Sequence, residues 1–369
     1  MTAIDVLIVG NGIIGAACGR ALASRGVGVA LLDHGPEAGA GTNAAAGMLA
    51  PFAEAEPEDP FIGFCVRARD LYHDLAATLQ EETGSDIGLW TEGILQLAFD
   101  EDEVDDLKGD VAWQRQSGFA VEWLPIDDLR EVHPGIGPDA LGAVRAQEDG
   151  ALDPVATRDA LEASAVEAHG AKVIRERAEQ LVFDGDRVRG VRTASGVVEA
   201  DAVLIAAGAW SSRIRGVPSP LPVEPVRGQL VAMDWPAGEP PAIVYGGSGY
   251  VVARGGEAIA GATMERAGFD ATTTELGVAS IRQTAQRIYP ALKGAPVKRA
   301  WAGLRPVTPD GRPIIGHDPM IENLWYATGH GRNGILLAGI TGDVLAQLFF
   351  EEELEYDTSL VDPSRFRPA

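Results

Sequence analysis

The sequence predicts an α/β protein with two interleaved domains, and three observations carry that expectation. The chain opens on a strand, glycine turn, helix and strand between Ile4 and Asp33, a βαβ unit. A second buried apolar run, "AVLIAAG" at 202–208, lies far downstream and reads as a return to the same sheet. From Val217 to Val297 the pattern changes to short β segments with glycine-rich turns, as in "AIVYGGSGYVVARGGEAIAGATM". The expected architecture is a Rossmann-like nucleotide-binding domain with a second α+β domain built on a mainly antiparallel sheet. Residues 1–86, 145–216 and 300–369 are expected in the first domain, and 87–144 and 217–299 in the second. The proline-rich "GVPSPLPVEPV" marks the crossing.

Ile4 to Val9 is almost continuously apolar, which suits a parallel strand buried on both faces. "GNGIIG" follows. Gly10 permits a tight turn, Gly12 lets backbone approach a pyrophosphate, and Gly15 lets the helix lie against the strand. Ile13 and Ile14 open that helix, whose first amides and positive dipole end favour phosphate. The second strand, "VGVALLD", ends at Asp33, which can accept hydrogen bonds from a ribose diol, with His34 beside it. Small residues then dominate "GAGTNAAAGMLAP" at 39–51. This is either a flexible loop or backbone held close to a flat ligand, with Thr42, Asn43, Ala45, Ala46, Gly47 and Met48 as its contacts.

Phe61 to Thr83 reads as a long helix. Acidic clusters such as "FDEDEVDDL" then alternate with strand-like pieces such as "GILQLAF", and "DLREVHPGIGPDALGA" reads as loop or short helix. Pro154 opens a further helix that Gly170 closes. Strands separated by Asp-Gly and Ser-Gly turns follow; Glu179 near their start, and Ala207, Gly208 and Trp210 at their end, are candidate cofactor contacts. A helix is expected from Thr274 to Tyr289. "GILLAGITGDVLAQLFF" is broken by Asp343 and by glycines. Its Leu336, Leu337, Ile340, Val344, Leu345 and Leu348 mark an amphipathic helix rather than a membrane span.

Of the 369 residues 46% are apolar, enough for a sizeable core. A net charge of −24 repels nucleic acid and anionic membranes, so neither is an expected partner. Oligomeric state is left open, a homo-oligomer included. The N-terminus has no basic region and reads as a folded strand, not a signal peptide. Cys18 and Cys65 form no disulfide framework and no metal-type spacing, which points to the cytoplasm. The histidines show no metal-ligand spacing either, so no metal is expected, and no nucleophile triad stands out.

Near the end, "WAGLRPVTPDGRPIIG" places Arg305 among apolar or small neighbours. It is either a solvated arginine at a turn or a fork of donors matched to a carboxylate. Together with "VLIVGNGIIG", "TNAAAGMLAP", "AVLIAAGAW", "GYVVAR…GATM" and "ATGHGRNGILLAGITG", in that order along nearly the whole chain, it resembles the D-amino acid oxidase superfamily of FAD enzymes. The thiamine-pathway glycine oxidases are the most similar branch.

The resemblance implies FAD in the first domain, held noncovalently, since neither cysteine lies in a segment where a flavin link is expected. It implies that Arg305 pairs with the substrate carboxylate and Tyr250 assists, while Met264, Met48 and Tyr245 line the pocket. Arg332 would lie near the flavin and the pocket entrance. Gly303, and backbone at Gly331, Asn333, Gly334 and Ile335, would approach the flavin ring; His330 either faces the cofactor or serves the fold. One departure stands out: Ser248 and Gly249 occupy a neighbourhood where enzymes of this type can carry a histidine, which implies a roomier pocket.

The implied reaction is oxidative deamination of glycine, sarcosine or a small D-amino acid. Hydride passes from the α carbon to flavin N5, the imine hydrolyses to a keto acid and ammonia or amine, and dioxygen becomes hydrogen peroxide. A D-amino acid or secondary-amine dehydrogenase feeding a quinone or carrier is the nearest rival. A nicotinamide-dependent dehydrogenase would not need the late "GHGRNGI" segment to return to the cofactor. A non-catalytic flavin-binding protein would not be bleached by any amino acid.

Overall fold

The computed structural model describes residues 4–35, 37–53, 56–217, 221–354 and 356–366. The centre of the proline-rich crossing, 218–220, lies outside the described residues.

Six strands form the first sheet, in the order Ile314–His317, Leu324–Thr328, Ala202–Ile205, Val6–Val9, Val29–Leu32, Lys172–Ile174. All neighbours run parallel except the Ile314–His317 edge. The unbroken apolar runs follow from burial on both faces. Val6 and Ile8 enter a core with the helices Ile13–Ala23, Phe61–Thr83, Pro154–Ala163 and Ala338–Phe349. Leu7 and Val9 point the other way, onto Leu181, Val188 and Val191 of a three-stranded antiparallel sheet. Parallel neighbours need long crossovers, so the first strand lies beside segments some two hundred residues away, such as Ala202–Ile205.

The second sheet has eight strands, mostly antiparallel: Arg299–Val307, Glu224–Asp234, Glu257–Gly261, Gly249–Arg254, Ile243–Gly246, Ile94–Ala98, Gly142–Ala146, Val121–Pro125. Side chains alternate between its faces. Val231, Met233, Val251 and Ala260 pack under the helix Glu275–Ile288 through Ile281, Ala285 and Ile288. Leu230, Val252 and Ile259 face the first domain, together with Tyr245, Tyr250 and Trp301. Arg299–Val307 pairs along its length with Glu224–Asp234, so the sheet reaches past the boundary expected at 300. Gly142–Ala146 likewise straddles the expected boundary at 144.

The acidic cluster "FDEDEVDDL", which by its pattern shows no element of its own, opens a helix, Glu101–Gln116. Asp100 caps it by accepting from the Glu103 amide at 2.9 Å, and three acids in the first turn oppose the helix dipole favourably. Among the described residues no helix is long and apolar enough to cross a membrane. No group of three or more metal-ligating side chains is found among them.

Candidate active site

A cavity of about 1310 Å³ runs between the two sheets, from the glycine turn to the Tyr245–Tyr250 hairpin. Clefts for a single small ligand reach about 1,000 Å³, so this one suits a dinucleotide with a substrate beside it.

At one end the chain has almost no freedom. Gly10 has φ +104°, and a Cβ there would lie 2.5 Å from the Ala206 carbonyl oxygen. A Cβ on Gly15 would lie 2.0 Å from the Gly10 carbonyl oxygen. Gly12 is different: its Cβ would meet only Thr42 Oγ1, at 3.3 Å. Protein packing therefore explains Gly10 and Gly15 and does not explain Gly12. Thr42 Oγ1 accepts from the Ile13 amide at 3.1 Å, whereas the amides of Gly12 and Ile14 find no acceptor among the described residues. Asp33 accepts from the Asn11 amide and the Gly35 amide, both at 2.7 Å, so it fixes the turn as well as facing the cavity.

The stretch 39–51 is held backbone. Gly39 O accepts from Leu304 N at 2.8 Å, and Ala44 O from Trp301 Nε1 at 3.4 Å. A Cβ on Gly303 would stand 2.4 Å from that of Ala44. Small residues are needed because this segment is pressed against Arg299–Val307 on one side and Leu152 on the other. This excludes the flexible loop, and Thr42, Asn43, Ala45, Ala46, Gly47 and Met48 line the cavity where the second reading puts a flat ligand.

At the opposite end the geometry comes from side chains. The Arg305 guanidinium lies over Gly228, where a Cβ would come within 2.0 Å of Nη1. Nη1 donates to the Thr263 carbonyl at 3.1 Å. No carboxylate among the described residues pairs with it, and burial pulls its pKa below the usual arginine value. Tyr250 stands near enough to feel that charge. Burial pushes the Tyr250 phenol up, while Arg305 and Arg254 oppose the shift. The Tyr245 and Tyr250 rings meet edge to face at 5.6 Å, as cross-strand partners of one hairpin. Burial raises Tyr245 as well. Met48 is half-buried on the wall, whereas Met264 sits at the rim, 55% exposed.

The third wall is the turn before the helix Ala338–Phe349. Gly331 has φ +55° and donates to Pro306 O at 2.8 Å. The Gly334 and Ile335 amides find no acceptor among the described residues. His330 is only 2% exposed, with Nε2 3.0 Å from Thr341 Oγ1; burial lowers its pKa to about 3, so it is a neutral structural group. Arg332 lines the cavity from an exposed position, its pKa lowered by desolvation.

The cavity brings together every expected site residue but two. Gly15 packs against Gly10 and does not reach the wall. Glu179 turns away: its backbone pairs with Arg192 and its carboxylate lies 3.9 Å from Arg215. Arg177 and Ala178 take that place on the wall. The sequence reading missed Gly228, whose only signal was a glycine inside a strand. It also missed Gln96, which enters from the neighbouring strand.

The family model described as FAD dependent oxidoreductase (DAO) matches residues 5–348. The chain is 35% identical over 358 residues to a glycine oxidase of Geobacillus kaustophilus, covering 96% of this chain and 94% of that one. It is 34% identical to the bifunctional protein ThiO/ThiG of Trichormus variabilis, covering 98% of this chain but 55% of that protein. The chain thus spans about half the length of such bifunctional relatives. The crystal structure of the Geobacillus kaustophilus glycine oxidase superposes with a TM-score of 0.91 at 33% identity, covering 99% of both chains. An iminodiacetate oxidase from Chelativorans sp. BNC1 gives 0.89 at 26% identity, with 97% of this chain and 98% of that one covered. On its fold, its cavity and these likenesses, the chain belongs to the DAO family of FAD-dependent oxidoreductases.

Proposed function

We propose that this chain is an FAD-dependent oxidase that deaminates glycine, sarcosine or a small D-amino acid and passes the electrons to dioxygen. The carrying observation is Arg305: a half-buried guanidinium on the cavity wall, partly desolvated, with a hydrogen bond to one carbonyl and no paired carboxylate among the described residues. A desolvated cation of that kind favours an incoming carboxylate.

The residues fit FAD. Gly12 lines the cavity with only Thr42 Oγ1 near the place a Cβ would take, and the Gly12 and Ile14 amides await an acceptor where a pyrophosphate would lie. Asp33 and His34 line the adjoining wall, and the Gly334 and Ile335 amides serve the ring end. Burial pushes the Cys65 thiol up to about 12, which keeps it protonated and favours noncovalent binding. When bound, the flavin supplies a two-electron acceptor for the α-carbon hydride.

The chain's own groups orient and exclude. Arg305 takes the carboxylate in a bidentate grip and the Tyr250 hydroxyl adds a donor. Both phenols stay neutral because burial raises them, so they donate hydrogen bonds and do not act as bases. His330 is tied to Thr341 and stays out of proton transfer. The amine must therefore arrive neutral, and no side-chain base is required. Gly249 is small because a Cβ would meet the Gly261 carbonyl oxygen at 2.4 Å, and Ser248 is exposed. Gly249 thus answers to packing, and it is the small, exposed Ser248 that supports a roomier entrance and substrates beyond glycine. Two buried free cysteines suit the cytoplasm.

The test is an anaerobic bleaching screen of the yellow protein with glycine, sarcosine, D-alanine, D-proline and larger D-amino acids, followed by a peroxide assay in air. Bleaching without peroxide would replace the oxidase by a dehydrogenase, and no bleaching at all would remove the catalytic reading.

A further inference from the structure

Arg254 ends the strand Gly249–Arg254, on the same face as Tyr250 four residues earlier. Its Nη1 donates to the Ala46 carbonyl at 2.9 Å and to the Leu152 carbonyl at 3.3 Å. Its Nε stands 4.0 Å from Asp153 Oδ2, while Asp153 Oδ1 caps the helix Pro154–Ala163. One guanidinium therefore joins the substrate sheet, the small-residue loop and the start of a helix in the first domain. Gly47 makes the junction possible. A Cβ there would lie 2.0 Å from the Leu152 oxygen and 3.1 Å from Arg254 Nη1.

Arg254 itself does not line the cavity, but Ala46 and Gly47 do. The Ala46 carbonyl and the Gly47 amide belong to one planar trans peptide, so they point in opposite directions. Drawing the carbonyl onto Arg254 turns the Gly47 N–H away from it. That N–H finds no acceptor among the described residues. Backbone donors of this kind are rarely left without a partner in a folded site.

We infer that Arg254 is a positioning residue: by anchoring the Ala46 carbonyl it aims the Gly47 amide into the cavity as a hydrogen-bond donor to the flavin ring. This rests on the FAD reading above. A donor at the ring favours the electron-rich reduced flavin, so the residue sets both retention and redox behaviour without touching substrate.

The experiment titrates FAD into the apoprotein for wild type, Arg254→Met and Arg254→Lys, and records each visible flavin spectrum and reduction potential. Arg254→Met should weaken FAD binding by about tenfold, lower the potential and move the flavin band, with Arg254→Lys in between. KM for glycine should change less than kcat, because Arg305 and Tyr250 remain in place. FAD affinity, spectrum and potential that match wild type in a folded variant would overturn the inference, even if the melting temperature dropped. Should Arg254→Met not fold, Arg254→Lys decides by the same criteria. A wild-type chain that binds no FAD overturns both this role and the reading beneath it.

Discussion

The two ends of the cavity are built by different means. The glycine-turn end is made of backbone: Gly10 and Gly15, like Gly47 further along the wall, are dictated by carbonyl oxygens that would stand within 2.5 Å of any added Cβ. The substrate end is made of side chains, with Arg305, Tyr250 and Tyr245 projected from three strands of one twisted sheet. The first kind of site is only partly local: Gly15 answers to Gly10 within one turn, whereas Gly10 and Gly47 answer to Ala206 and Leu152, brought up from far along the chain. The second depends on register, since a slip of one residue would turn Tyr250 and Arg305 to the helix-covered face.

The largest expected effect tests the side-chain end. Arg305→Ala should lower kcat/KM for glycine by roughly 2–5 kcal/mol, mainly through KM, with FAD still bound. Kinetics like wild type would erase the distinction between the ends.

The backbone end is sharpened by a pair of variants. Gly15→Ala should destabilise the fold by about 1–3 kcal/mol or more, because its Cβ would strike the Gly10 carbonyl, and should show as a lower melting temperature of the apoprotein. Gly12→Ala should leave that temperature nearly unchanged and weaken FAD binding instead. Equal loss of stability in both would mean that Gly12 answers to protein packing.

His330 belongs to the third wall, and its depressed pKa has a definite sign. Between its ordinary value and about 3 the unfolded chain binds a proton that the folded chain refuses. Stability linked to His330 is full above the unfolded value and falls as pH drops, by up to about 1.4 kcal/mol per unit. Melting of His330→Asn should therefore be less acid-sensitive than wild type; parallel curves would show that the imidazole titrates normally. The smallest effect is Tyr250→Phe, which should cost about 0.5–1.5 kcal/mol in kcat/KM, as one hydrogen bond is lost with packing kept. A loss as large as that of Arg305→Ala would assign the phenol a role beyond positioning.

Much of the site was legible beforehand, though unevenly. The βαβ unit and its acidic terminus carry a spacing that few other structures need, so the nucleotide end followed from residues 4–33. Glu179 shows the limit: it lies two residues after Arg177, and only the path of the chain around Arg215 decides which of them meets the cavity. Gly228 was hidden because its reason, room for a guanidinium from the next strand, exists only after pairing.

Local pattern was enough for the fold class, the two-faced burial of the parallel strands and the glycine turn, because unbroken apolar runs and the glycine spacing are written within a few residues even where the neighbours they meet are distant. Only the packed fold shows that Arg305 pairs with no carboxylate among the described residues, that His330 is locked on Thr341 and that Arg254 clasps the Ala46 carbonyl. Those facts turn on desolvation and on contacts between distant segments, which no local pattern encodes.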